Sequence, residues 1–349
     1  MNIEDILSQR LLNQQLIGTH FKSVGELISW FGAMQSQDYY GAKWAIGQRI
    51  GVTDKKIEKA FDNGEILRTH VMRPTWHFVS PEDIVWMQTL TANRVMKIMK
   101  YYNRRLGLDD SVFKKSQKII VAVLRNEKTL TRLELAERLA RSGLLFKGQA
   151  LAHIVSQAEL DGILCSGPRR GKQHTYALIE DRAPKAKLYP VDEALALLIR
   201  KYFQSHGPAT IKDFCWWSGL TAVDAKLGIS KIKDIKEVEV DNLVFYYFEI
   251  QQKPIPERVY LLPNYDEYGI AYKIREMFLK DTGYVMPPNA GQMIFSHLVI
   301  YRGKLVGLWR RSINKDSVNV DIPYFHKPTA NVEKLVKEEI GRYKKYITL

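Results

Sequence analysis

The stretch from Ser116 to Leu178 constrains the fold most. SQKIIVAVLRNE places its apolar residues on one helical face, and Lys128-Thr129-Leu130 reads as a short strand behind it. Thr131 then opens RLELAERLARSG, with Glu134 three residues on. That spacing is a capping box, in which hydroxyl and carboxylate each meet a free N–H of the first helical turn. GQALAHIVSQAELDGIL reads as a third helix, and CSGPRRGKQHTYAL as a hairpin whose turn carries Arg169, Arg170, Lys172 and His174. Helix, short strand, helix, helix, hairpin is the winged-helix order. In that architecture the third helix or the wing meets a DNA groove or backbone, so Arg169, Arg170 and Lys172 are candidate phosphate contacts.

The same order recurs on both sides. Upstream, a helix is expected from about Val24 to Met34 and a second over Tyr40–Ile50. A third, DKKIEKAFDNG, is capped by Thr53 and ended by Gly64, and ILRTHVMRPTWHFV then reads as a hairpin. Downstream of a Pro/Lys link (181–190), VDEALALLIRKYFQSH is followed by two segments capped by Thr210 and Thr221, with Trp216-Trp217 read as core. A connecting helix over 82–109 bunches Lys97, Lys100, Arg104 and Arg105 at its end, where cations suit both the helix dipole and a phosphate. From Glu237 the period changes to two, with Gly303 and Gly307 near turns, before a basic terminal helix. The expected fold is α+β: three tandem winged-helix domains (1–110 with its N-terminal and connecting helices, 111–183, 184–236) followed by a C-terminal antiparallel β-barrel-like domain over 237–349.

Charge narrows the function. A formal net charge of +14 concentrates polyanions near the surface and supports phosphate contacts. No apolar run is long enough to span a bilayer, and MNIEDILSQRLLNQQ has no signal-peptide pattern. Two cysteines, Cys165 and Cys215, are too few for a disulfide framework or a zinc site, so a reducing cytoplasm is expected. Metal-dependent nucleases need clustered carboxylates. The one adjacent pair worth weighing, Asp266-Glu267, is expected in a solvent-facing turn, so no metal or cofactor is anticipated.

One further stretch has chemical character: FGAMQSQDYYGAKWAIGQR, residues 31–49. Gln35 and Gln37 are neutral amides, carrying donors and acceptors together, and can hold a water or read a base edge. Read without the rest of the chain, they are the polar end of a helix beside an aromatic patch. Tyr39 and Tyr40 offer faces to a displaced base, Trp44 is read as core, and Arg49 closes the stretch.

With this order assembled, the chain resembles the bacterial winged-helix DNA glycosylases, the AlkZ/YcaQ-like family, over nearly its full length. The resemblance rests on Gln35-Ser36-Gln37 with Arg49 downstream and on Leu67-Arg68-Thr69-His70…Arg73-Pro74-Thr75-Trp76-His77-Phe78-Val79. Further on it rests on Leu261-Leu262-Pro263…Asp266 and Gly307-Leu308-Trp309-Arg310. It places the chain in the Gln-x-Gln branch, with Ser36 more polar than is usual there. It implies excision of N7-alkylated purines from double-stranded DNA and, in some members, unhooking of interstrand crosslinks; a monomer is expected.

The chemistry suits these residues. An N7-alkylated purine is already cationic and leaves easily, so an amide that orients water can suffice. Gln37 is expected to place the water, and Gln35 to hold Gln37 or the lesion. Asp38 is the second choice, as a general base. Arg49, Arg68, Arg73, His77, Lys97, Arg104, Arg105, Arg169, Arg170, Lys172 and Arg310 are the expected DNA-facing set, with His70 read as packing or phosphate-facing. The competing reading is a non-catalytic winged-helix DNA-binding protein or regulator, which would have no use for the glutamine pair.

Overall fold

A computed structural model describes residues 1–251, 254–279, 297–314 and 317–348. After α1 (Ile3–Asn13), the first repeat comprises α2 (Val24–Phe31), β1 (Ala33–Gln35), α3 (Tyr39–Ile50), α4 (Asp54–Asp62), β2 (Leu67–Val71) and β3 (Arg73–Val79). Its antiparallel sheet runs in the order β1-β3-β2. The long helix α5 (Ile84–Arg105) leads to the second repeat: α6 (Asp110–Glu127), β4 (Leu130–Thr131), α7 (Arg132–Arg141), α8 (Gly148–Leu160), β5 (Leu164–Ser166) and β6 (Thr175–Leu178). Its sheet, β4-β6-β5, has the same topology. A short helix, α9 (Ile179–Arg182), precedes the third group: α10 (Val191–His206), α11 (Ile211–Ser218), α12 (Ala222–Ser230) and the hairpin β7 (Lys236–Val240)–β8 (Leu243–Tyr247). An antiparallel bridge from Ala209 to Tyr246 stands where the other two repeats have their short first strand.

The caps are those the sequence expects. Thr131 and Glu134 exchange bonds of 3.3 and 2.7 Å, and capping boxes also open α11 at Thr210 and α12 at Thr221. Each such cap contributes about 1 kcal/mol. The helix expected to reach Met34 stops at Phe31 instead. Gly32 caps it at φ +77°, a backbone state glycine reaches without a Cβ clash, and this lets Ala33–Gln35 turn out as a strand.

The C-terminal part corrects the expected fold class. It consists of β9 (Val259–Leu262), α13 (Glu267–Ile270), α14 (Glu276–Leu279), β10 (Leu298–Tyr301), β11 (Lys304–Leu308), β12 (Arg310–Ile313), β13 (Val318–Asp321) and α15 (Ala330–Thr348). Among the described residues these strands form a three-stranded sheet, β11-β10-β9, and a separate pair, β12-β13. Both are open and neither closes into a barrel, so the architecture is mixed α/β with several small sheets. Sheets of two or three short strands cannot complete the circuit a barrel requires; helices cover the three-stranded one, α15 against β9 and α14 against β11. Part of the strand expected from Met293 lies outside the described residues, and β10 begins at Leu298. The hairpin assigned by sequence to this part, β7–β8, instead completes the third helical group, with Tyr246 packed on its core.

The first hairpin lies between two cores. Leu67, Val71 and Val79 pack with Trp86 of α5 and Tyr202 of α10, while Phe78 joins Met34, Trp44, Leu261 and Tyr343 in a second cluster. A wing that elsewhere projects into solvent is here built into the centre of the molecule.

Candidate functional site

Strand β1 delivers the glutamines to this centre. Gln35 lies across from His77, and Ser36 N–H donates to Trp76 O at 2.8 Å, carrying the pairing one step beyond the strand. Because β1 is an edge strand, the N–H of Gln35 faces away from β3 and needs another acceptor. It finds Glu267 Oε1 at 2.7 Å. Glu267 is fully buried, and its Oε2 accepts from Trp217 Nε1 at 3.1 Å and from His206 Nε2 at 3.2 Å. Burial works to raise its pKa. The bonds from His206 and from the Gln35 N–H, with Arg73 nearby, win and bring it below the ordinary value.

The two amides differ in setting. Gln35 is buried, with its Oε1 unpartnered. Gln37 is exposed, and its Oε1 accepts from Trp76 N–H at 3.3 Å. Asp38 caps α3 by accepting from Gly41 N–H at 3.0 Å. Gly41 is required there, because a Cβ would stand 2.5 Å from Asp38 Oδ2.

Cations and aromatics enclose the strand end. Arg68 is buried, donates from Nε to Ser36 O at 3.1 Å, and lays its guanidinium 4.4 Å over the Trp76 ring. Burial lowers its pKa to about 10, which leaves it charged at neutral pH. Arg73 Nη2 donates to His77 Nε2 at 3.4 Å, and His77 Nδ1–H donates to Thr75 O at 3.0 Å. Burial and the adjacent Arg73 hold His77 well below its ordinary pKa, as a neutral ring. His70 pairs with Glu159 of α8, and its ring lies tilted against that of Trp76 with centroids 4.6 Å apart.

Arg169, from the tip of the second hairpin, turns inward. It bonds Glu58 at 3.1 Å and Tyr40 Oη at 3.2 Å, with its guanidinium 5.0 Å over the Tyr39 ring. His174 from the same hairpin packs edge-on against Tyr39 at 4.7 Å; burial, with Arg68 and Arg169, takes it down to about pKa 4.

The remaining expected residues are spread out. Arg49 is fully buried in a two-pronged pair with Asp266 (2.7 and 2.8 Å) and also donates to Gln14 O, which turns it away from any surface ligand. Asp266 and Glu267, expected to face solvent, are both buried because α13 inserts between the cores. Lys97, Arg104 and Arg105 are exposed on α5, the first two beside Lys100 and Lys114 in a cleft against α6. Arg170 is half-exposed, bonding Glu134 at 2.8 Å and Thr129 O at 2.6 Å; Lys172 and Arg310 are exposed. Sequence reading missed Glu267, His206 and Trp217 as partners of the glutamine strand. They lie between 170 and 235 positions from it, and no local pattern announces them. Among the described residues no three His, Cys, Asp or Glu side chains converge as metal ligands, and no helix is long and apolar enough to cross a membrane.

The chain is strongly basic and is built of repeated helix–hairpin units around a strand that ends in two neutral amides. The family description "DNA glycosylase AlkZ-like" matches residues 28–346, and the chain belongs to that family of DNA-repair glycosylases. It is 23% identical over 324 residues, 87% of this chain and 86% of its relative, to an interstrand DNA cross-link repair glycosylase of Streptomyces sahachiroi. The fold matches the solved DNA glycosylase AlkZ of Streptomyces sahachiroi with a TM-score of 0.80 at 20% identity, covering 99% of this chain and 96% of that one.

Proposed function

We propose that this chain is a monofunctional glycosylase of the Gln-x-Gln branch that hydrolyses the N-glycosidic bond of N7-alkylated purines in duplex DNA, crosslinked purines included. The observation that carries this reading is the pairing of an exposed amide, Gln37, with a buried one, Gln35, on a strand end held from both sides. Gln37 orients a water toward C1′ while the glycosidic electron pair departs with the base. The alkylated purine thereby becomes neutral, and the water's proton passes to solvent or to Asp38. No strong base is needed, because the leaving group carries its positive charge from the start. The exposed setting of Gln37 suits a bulky lesion better than a closed flipping pocket would. The relative that repairs interstrand crosslinks supports the crosslink part of the proposal.

The test is release of base from three labelled duplexes, carrying 7-methylguanine, a bulky N7 adduct or an N7 crosslink, with alkali to cut the abasic product. Release from any of them identifies the activity and its preferred lesion. Intact duplex binding with no release from all three would replace it with the non-catalytic DNA-binding reading.

A further inference from the structure

We propose that Glu267 is a positioning residue whose buried negative charge fixes the Gln35–Gln37 strand end and favours the cationic sugar formed during excision. This rests on the glycosylase reading above.

Geometry carries the first half. The N–H of Gln35 is the last outward-facing donor of an edge strand, and its acceptor is a carboxylate oxygen 2.7 Å away on a helix 232 positions further along the chain. A backbone carbonyl or a side-chain amide would also accept that N–H, without a buried charge. A carboxylate with no solvent access is a costly choice, since its desolvation must be offset by donors gathered around it. The donors gathered here are neutral. Trp217 Nε1–H and His206 Nε2–H bond Oε2 at 3.1 and 3.2 Å, and burial holds His206 in its uncharged form. A nearby cation, Arg73, acts on this carboxylate and donates to His77, the residue opposite Gln35 in the sheet. Three elements distant in sequence therefore converge to hold an anion against the backbone of one catalytic glutamine. An ionised acceptor also makes a stronger, shorter bond than a neutral one, which restricts the strand end further.

The second half follows from charge. Excision moves positive charge from the purine to the sugar, and a preorganised anion in a dry setting stabilises that transfer more than it would in water. Glu267 need not touch the substrate to do this.

Glu267→Gln keeps the size and an oxygen acceptor for Gln35 N–H but removes the charge. Its binding would be measured to two duplexes, one with a cationic pyrrolidine abasic mimic and one with the neutral tetrahydrofuran analogue. The expected result is about a tenfold loss of affinity for the cationic mimic with the neutral one unchanged, and about a tenfold or greater fall in single-turnover excision of 7-methylguanine. Equal change in both affinities, or none in either, overturns the proposal. Gln37→Ala in the same excision assay separates the two readings. If it is inactive while Glu267→Gln is normal, only this proposal fails; if both excise normally, the assignment of the glutamines fails first. Should Glu267→Gln not fold, Glu267→Asp keeps the charge and draws the carboxylate back from the Gln35 N–H. Preference for the cationic mimic retained with excision at least about tenfold slower then supports the proposal, and excision at the wild-type rate overturns it.

Discussion

The first and second hairpins are the same object used in opposite ways. Each follows three helices and is the β-ladder's outer pair in a sheet of identical strand order, and each carries arginine and histidine. In β2–β3 every strand residue from Leu67 to Val71 is buried, and Arg68 is spent holding Ser36 O and covering Trp76. The tip of β5–β6 is divided. Arg169 braces the first repeat through Glu58 and Tyr40, while Arg170 and Lys172 remain at the surface. What differs is what lies alongside. The first hairpin is flanked by α5, by α10 and by the second hairpin itself, whose Ser166 Oγ accepts from Arg68 N–H at 2.8 Å. A cationic wing therefore has no fixed meaning: buried, it braces its neighbours; at the surface, its cations reach solvent.

Substitutions can break this contrast, beginning with the buried side. Arg68→Met should be the most damaging, because it strands the Ser36 carbonyl and removes the cation over Trp76. We expect about 2–3 kcal/mol of lost stability, as for a buried charge-assisted bond, and a fall in excision of about a hundredfold. Urea unfolding and single-turnover assays would measure the two. Arg169→Met should cost less, about 1–2 kcal/mol in the same unfolding experiment, with excision retained, since it braces the repeats without touching the glutamine strand.

Acid sharpens the contrast in another way. His77 and His174 both have folded pKa values below the unfolded one near 6.5, mainly through burial. As pH falls below that value the unfolded chain takes up protons that the folded chain refuses, so stability must drop. Melting temperature should therefore decline from pH 7 to pH 5, and His77→Gln should flatten the decline. An unchanged slope in that variant would show that the first hairpin does not hold a neutral histidine. The smallest effect belongs to Lys172→Ala: stability unchanged, and a plot of log affinity against log salt shallower by about one if Lys172 meets a single phosphate. A slope identical to wild type would mean that this wing tip faces only solvent.

Much of the fold was legible, and the reason is local chemistry. Capping boxes at Thr131, Thr210 and Thr221 and the glycine stops depend on neighbours within four residues, and so did the helix–helix–hairpin order. The barrel was not legible, because alternation marks a strand without saying whether its edges close. Of the candidate site only the local pattern was legible. Gln35 and Gln37 stood out as paired amides, but the sequence read them as a helix end and not as a strand, although Gly32 is the signal that ends the helix. Arg49 looked like a phosphate contact because a lone arginine after aromatics carries no mark of its partner, Asp266, 217 positions away. Glu267 was passed over for the same reason: burial comes from tertiary packing, and an acidic pair in a turn reads as solvent-facing until a short helix carries it into the core.

The most direct test of the account is single-turnover excision of 7-methylguanine by Gln37→Ala at saturating enzyme, with duplex affinity measured on the same preparation. The expected rate is at least about a hundredfold below wild type with affinity unchanged, as when a group acts only in the transition state. Excision at the wild-type rate by a variant that binds normally would contradict it, and would move the chemistry away from the glutamine strand.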